Sequence, residues 1–179
     1  MQIIAKTLKN APNRAEIKKL YYSSFPKEEL LPWLALKLLT VRRGADIWGY
    51  YENETFCGFT YTACYNGIVY LMFFAVNESL RGKGYGSAIL EYLKKTNPDK
   101  RITLNVEPID ENTENAEERV KRIDFYKKNG FFDTGHNIKE VGGTFRVMST
   151  SPEFDPEAYV GVFKKISFGT WVPKITKID

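Results

Sequence analysis

Histidine occurs once in the 179 residues, as His136, and cysteine twice, as Cys57 and Cys64. The two cysteines fall in one predicted strand, seven residues apart, which puts them on opposite sheet faces and argues against a disulfide between them. With one histidine and no closely spaced cysteine pair, no zinc ligand set can be assembled. The segment from Asp110 begins like a calcium loop, but it has Asn115 where glycine is required and Lys121 where the bidentate acid belongs. No metal is expected. No apolar run approaches the roughly 18 residues that span a bilayer, and Met1 to Asn10 lacks the apolar core of a signal peptide. The expectation is a cytoplasmic protein without a membrane partner. The net charge of +4 is small and its basic residues are scattered; it would suit an anionic ligand, and no nucleic-acid partner is expected.

What the chain does have is apolar and aromatic content, at 43% and 15% of residues, enough for a packed core. Ile3 to Leu8 reads as an opening strand. Asn13 with Glu16 three residues on has the form of a capping box, before a helical face of Ile17, Leu20, Tyr21 and Ser24 that Pro26 ends. Pro32 opens a second apolar helix reaching about Leu39. The period then changes to two. Ala45–Tyr51, Phe56–Tyr65 and Ile68–Val76 are predicted strands, the last two joined by the hairpin pair Asn66-Gly67. Tyr70 to Val76 is apolar throughout, as expected of a central strand covered on both faces. A helix over Gly84–Thr96 and a strand over Arg101–Val106 imply a parallel crossover. A helix from about Ala116 to Lys128 follows, then a closing hairpin of Phe131–Lys139 and Thr144–Thr150 around Gly142-Gly143. The predicted class is α+β, with a mixed, mostly antiparallel sheet flanked by helices. Residues 1–150 are expected to form the main domain. Residues 151–179 read as an extension packed on it, with a short helix near Glu157–Lys165.

The most informative segment is the turn Arg81-Gly82-Lys83-Gly84-Tyr85-Gly86-Ser87, between a buried strand and a helix. Unpaired N–H groups at a helix start, with the positive end of its dipole, bind anions. The glycines let a phosphate reach the backbone, and Arg81 and Lys83 add positive charge. A mononucleotide loop would need Ser or Thr after Gly82-Lys83, where Gly84 stands. A dinucleotide fingerprint would need a third glycine at Ser87 or Ile89, and neither is one.

Arg-x-x-Gly-x-Gly after the last strand of a three-stranded meander resembles the GCN5-related N-acetyltransferase family, whose corresponding loop holds the pyrophosphate of coenzyme A. A second match is Tyr126, four residues before Gly130-Phe131. The resemblance covers about Ala45 to Phe132. It implies acetyl-CoA as cosubstrate, gripped by Arg81 through Ser87, with its pantetheine arm pairing like an extra strand with the backbone near Phe74, Ala75 and Val76. The thioester would lie between splayed fourth and fifth strands, polarised by a backbone N–H such as that of Val76. A small-molecule or peptide amine would attack directly, and Tyr126 would protonate the departing thiolate. A phenol near pKa 10 is about 1.5 units weaker than a thiol near 8.5, so that transfer is uphill by roughly 2 kcal/mol. One departure is that many members carry asparagine and alanine seven and four residues before the tyrosine, where this chain has Arg119 and Arg122. Another is that the fourth strand holds no acid to serve as base. Glu107, just past the fifth strand, is the first candidate, followed by Glu28 and Glu29. Because of that gap the alternative function is an acyl-CoA-binding module without transfer activity. A homodimer is left open.

Overall fold

The computed structural model describes residues 1–41, 44–140 and 143–178. The elements follow the predicted order through α5: β1 (Ile3–Thr7), α1 (Arg14–Ser24), α2 (Trp33–Leu39), β2 (Ala45–Glu52), β3 (Thr55–Tyr65), β4 (Ile68–Val76), α3 (Tyr85–Lys95), β5 (Arg101–Val106), α4 (Ala116–Lys128), β6 (Phe132–Glu140), β7 (Gly143–Ser149) and α5 (Pro156–Ile166), with a further strand β8 (Lys174–Lys177) after it. The hydrogen-bonded strand order is β1-β2-β3-β4-β5-β7-β6-β8. The result is a mostly antiparallel open sheet flanked by helices. Its parallel step is β4 on β5, registered from Ile68 opposite Arg101 to Tyr70 opposite Thr103.

The chain divides into two compact units, and β4 contributes to both. The first holds residues 1–64 and 71–98; the second holds 65–70 and 99–179. In the first, α1 buries Ile17, Leu20 and Tyr21, and the Tyr21 ring meets Phe73 of β4 edge-on at 5.1 Å. The other face of β4 carries Phe74 and Val76, which pack with Ile89 of α3, Tyr50 and Cys57. Both faces of the strand are therefore covered, which is why its sequence does not alternate. In the second unit, α5 buries Tyr159, Val162, Phe163 and Ile166, and the Phe163 ring stacks 4.9 Å from Tyr70.

One local expectation changes. Asn13 does not cap α1 through the backbone; its amide donates to Glu16 Oε2 at 2.7 Å instead. The extension expected from Ser151 falls inside the second unit and adds β8, antiparallel to β6 from His136 opposite Lys177 to Lys139 opposite Lys174. Gly142 of the expected closing turn lies outside the described residues.

Candidate active site

The first unit carries the glycine-rich turn. Asn77 ends β4 by donating its backbone N–H to Cys57 O at 2.8 Å and its side-chain amide to Phe56 O at 3.1 Å. Its Oδ1 accepts from the Ser79 backbone N–H, closing a short 3-10 turn over Glu78–Leu80. Arg81 folds back, its Nε 3.4 Å from Val76 O, and Lys83 Nζ donates to Ser79 O at 3.0 Å. Gly84 is the N-cap of α3 at φ +85° and supplies no side-chain cap. The left-handed conformation explains the glycine. The missing cap leaves the first-turn N–H groups of α3 for another acceptor. Around Gly82, at φ +73°, a Cβ would meet no atom within 4 Å, so the backbone faces open space. An anion of diphosphate size fits these donors by chemistry and by access.

Just before the turn, β4 is held tightly. A Cβ built on Gly58 of β3 would fall well inside contact distance of the Ala75 carbonyl oxygen and 3.1 Å from Val76 Cα. Glycine at 58 lets β3 and β4 approach this closely, so a side chain there would press on the backbone of Ala75 and Val76.

The α1–α2 connection belongs to the same unit. Tyr21 Oη donates to Leu31 O at 3.0 Å and accepts from Leu31 N at 2.8 Å, and Tyr22 Oη accepts from Trp33 N at 3.1 Å. Trp33 lies 5.7 Å from the Tyr21 ring. Glu28 and Glu29 lie on a 3-10 turn within this clamped segment.

The second unit carries Tyr126 and Glu107. Tyr126 is half-buried on α4, its ring 5.3 Å from Phe125 and 5.5 Å from Phe131. Burial pushes its phenol up to about 12, against a smaller downward pull from the Arg122 charge. That widens the gap to a thiol to about 3.5 units, or roughly 5 kcal/mol. Glu107 is engaged at both oxygens. Arg119 Nη2 lies 2.9 Å from Oε1 and Arg122 Nη1 2.9 Å from Oε2. Arg119 also donates to Pro108 O at 3.1 Å and Asn115 Oδ1 at 2.8 Å. The two arginines that depart from the family pattern thus brace α4 against the end of β5, and Glu107 is the anion between them.

This unit also holds a part-buried polar cluster that no local sequence pattern announces. Asn105 of β5 donates from Nδ2 to Tyr70 Oη at 3.1 Å and to Glu140 Oε1. Tyr159 Oη donates to Asn105 Oδ1 at 2.6 Å, and Tyr70 Oη lies 3.5 Å from Glu140 Oε1. Burial, then the Glu140 charge, pushes both phenols well above their ordinary value. Contributed by β4, β5, β6 and α5, the four residues have no common sequence spacing.

A family model described as "Acetyltransferase (GNAT) domain" matches residues 43–132, half of the chain. "Putative acetyltransferase YjbC" of Bacillus subtilis is 32% identical over 127 residues, which are 71% of this chain and 60% of that protein. Among solved structures, "Putative acetyltransferase from GNAT family" of Bacteroides thetaiotaomicron superposes with a TM-score of 0.73 at 25% identity, covering 96% of this chain and 100% of the other. Arabidopsis thaliana Naa50, solved with a bisubstrate analogue CoA-Ac-MVNAL, shares the fold at a TM-score of 0.56 and 22% identity, over 84% and 99% of the two chains. From the strand order, the turn into α3 and the matched family model, the chain belongs to the GCN5-related N-acetyltransferase family.

Proposed function

We propose that the protein transfers the acetyl group of acetyl-CoA to a primary amine by direct attack. The observation that carries this reading is the start of α3: a helix whose N-cap is a left-handed glycine without a side-chain cap, flanked by Arg81 and Lys83, directly after a central strand. In this reading the N–H groups of Gly82 through Ser87 and the two cations receive the pyrophosphate. Each helix-end contribution is only about 0.3–2 kcal/mol, so the grip comes from several acting together. The backbone of Phe74, Ala75 and Val76, with Gly58 of β3 packed closely against Ala75 and Val76, pairs with the pantetheine arm and polarises the thioester carbonyl.

Tyr126 serves in this scheme as a hydrogen-bond donor to the sulfur as charge develops there. With its phenol near 12 it stays protonated across the working range, so it steadies the leaving thiolate without titrating. Glu107 acts by holding Arg119 and Arg122 rather than as the base. The acceptor enters along the α1–α2 segment, where Glu28 and Glu29 suit a cationic small molecule or a peptide N-terminus. The family relative solved with a CoA–peptide analogue supports that class of acceptor. We place the protein in the cytoplasm; among the described residues no helix is long and apolar enough to cross a membrane.

The test is a transfer assay with acetyl-CoA and three amines: spermidine, kanamycin and a short peptide with a free N-terminus. Acetylation of any of them, monitored as released thiol and as acetylated product, is expected. Tight acetyl-CoA binding with no product would favour a binding module without transfer activity.

A further inference from the structure

The turn into α3 has to hold its N–H groups in place with few side chains to help. Gly82 and Gly84 both take left-handed conformations, at φ +73° and +85°, and glycine loses more backbone freedom on ordering than any other residue. Gly84 caps α3 without a side-chain bond. On the strand side the chain is tied down by Asn77, which bonds Phe56 O and the Ser79 backbone N–H, and by Lys83 Nζ on Ser79 O. The helix side begins with Tyr85, the first residue after Gly84.

Tyr85 is anchored twice, and both anchors lie in the first unit. Its ring packs against the buried cluster of Tyr50, Cys57 and Ile89. Its Oη donates to Glu52 Oε2 at 2.7 Å, a length typical of a hydroxyl bonded to a carboxylate. Glu52 is itself fixed. It is the last residue of β2, registered opposite Ile3 of β1 and Thr55 of β3, and its Oε1 accepts from the Gln2 backbone N–H at 3.3 Å. The titratable groups acting on the Tyr85 phenol are Glu52 and the Cys57 thiol. The hydrogen bond to Glu52, ahead of burial, raises the phenol above its ordinary value, so the hydroxyl stays the donor. One carboxylate therefore joins the start of β1, the end of β2 and the first residue of α3.

Cutting this tether would remove no N–H group from the turn. It would widen the range of conformations that the two glycines sample, and a ligand binding there would have to order them at the expense of affinity. The loss belongs in binding, because neither Glu52 nor the Tyr85 hydroxyl takes part in acetyl transfer in the reading above. We propose that Glu52 is a positioning residue for the acyl-CoA site, holding the glycine turn and the first turn of α3, through Tyr85, in the conformation that receives the pyrophosphate. The inference rests on the transfer reading, which supplies the ligand.

The test compares full-length wild type with Glu52→Ala, Tyr85→Phe, the double variant and Glu52→Gln. Calorimetry gives the acetyl-CoA Kd, the transfer assay gives KM and kcat, and urea midpoints report stability. Glu52→Ala should raise Kd and KM for acetyl-CoA about tenfold, the scale of a hydrogen bond to a charged group, while kcat at saturation stays within twofold. Tyr85→Phe keeps the ring in its cluster and should raise Kd by a similar factor. The double variant should bind no worse than either single one, since both cut the same link. Glu52→Gln retains an oxygen that accepts from Tyr85 and should return Kd to within about threefold of wild type. A Glu52→Ala protein with a lowered urea midpoint and an unchanged Kd would overturn the assignment, leaving Glu52 a purely structural role. Losses that multiply to about a hundredfold in the double variant would overturn the route through Tyr85. If Glu52→Ala does not fold, Tyr85→Phe decides: a tenfold loss of affinity sustains the inference, and binding within twofold of wild type overturns it. Each overturning result leaves the transfer reading intact so long as wild type binds acetyl-CoA and acetylates an amine. Wild type that does neither would overturn the transfer reading and this inference together.

Discussion

At the scale of single residues, the site is shaped by what each side chain's neighbours permit. Tyr126 keeps its proton because burial outweighs the Arg122 charge. Tyr126→Phe should lower turnover about tenfold or more while acetyl-CoA affinity changes less than twofold, a split visible in kcat against Kd. Since the phenol lies near 12, the wild-type rate should show no alkaline limb from it below pH 10. A limb near pH 9 that disappears in Tyr126→Phe would restore it as a titrating acid. Glu107 lends itself to the opposite test. Its carboxylate is 22% exposed and joined to Arg119, itself 15% exposed, so Glu107→Gln leaves two guanidinium groups underpaired. A loss of stability of about 1–3 kcal/mol is expected in chemical denaturation, with turnover per folded molecule largely kept. A stable but inactive variant would return Glu107 to the chemistry.

At the scale of elements, the decisive contact is β3 against β4. Gly58 stands where any Cβ would press on the Ala75 carbonyl. Gly58→Ala should therefore displace the end of β4 and weaken acetyl-CoA binding at least tenfold, read by calorimetry. An alanine variant that binds as wild type would show that the Phe74–Val76 backbone is not the pantetheine partner. This part of the molecule was also the most legible in the sequence. The run Tyr70-Leu71-Met72-Phe73-Phe74-Ala75-Val76, the Asn66-Gly67 turn and the glycines after it each carry local information. As a result β4, β5 and α4 fall at their predicted bounds. β8 was missed because Lys174-Ile175-Thr176-Lys177 has little apolar content of its own and is a strand only through its pairing with β6. Glu140 was missed for a related reason. Its hydrogen-bond partners Asn105 and Tyr70 are 35 and 70 residues away in the chain, and no periodicity links them. Asn13 misled in the other direction, since the residues of a capping box were present while the side chains paired with each other.

At the scale of the whole molecule, the fold is rich in buried tyrosine. Burial holds Tyr21 and Tyr126 near 12, and Tyr50, Tyr61, Tyr70 and Tyr159 higher still. An unfolded tyrosine ionises near pH 10. Between that value and the folded one, the unfolded chain binds fewer protons than the native one, so stability falls as pH rises. The contribution is fully present below about pH 9 and is lost from about pH 10 upward. Urea unfolding midpoints should hold steady from about pH 8 to 9.5 and fall steeply by pH 11; a midpoint unchanged to pH 11 would mean these hydroxyls are better solvated than their burial indicates.

The proposed transfer requires the turn into α3 to receive the pyrophosphate of acetyl-CoA. Its most direct test is calorimetric titration of the protein with acetyl-CoA, with ATP and NAD as controls, repeated on Gly84→Glu, which places a negative side chain at the helix cap. Micromolar binding of acetyl-CoA, little binding of ATP or NAD, and loss of acetyl-CoA binding in the variant are expected. Equal binding of all three ligands, or a Gly84→Glu protein that binds acetyl-CoA as well as wild type, would contradict it.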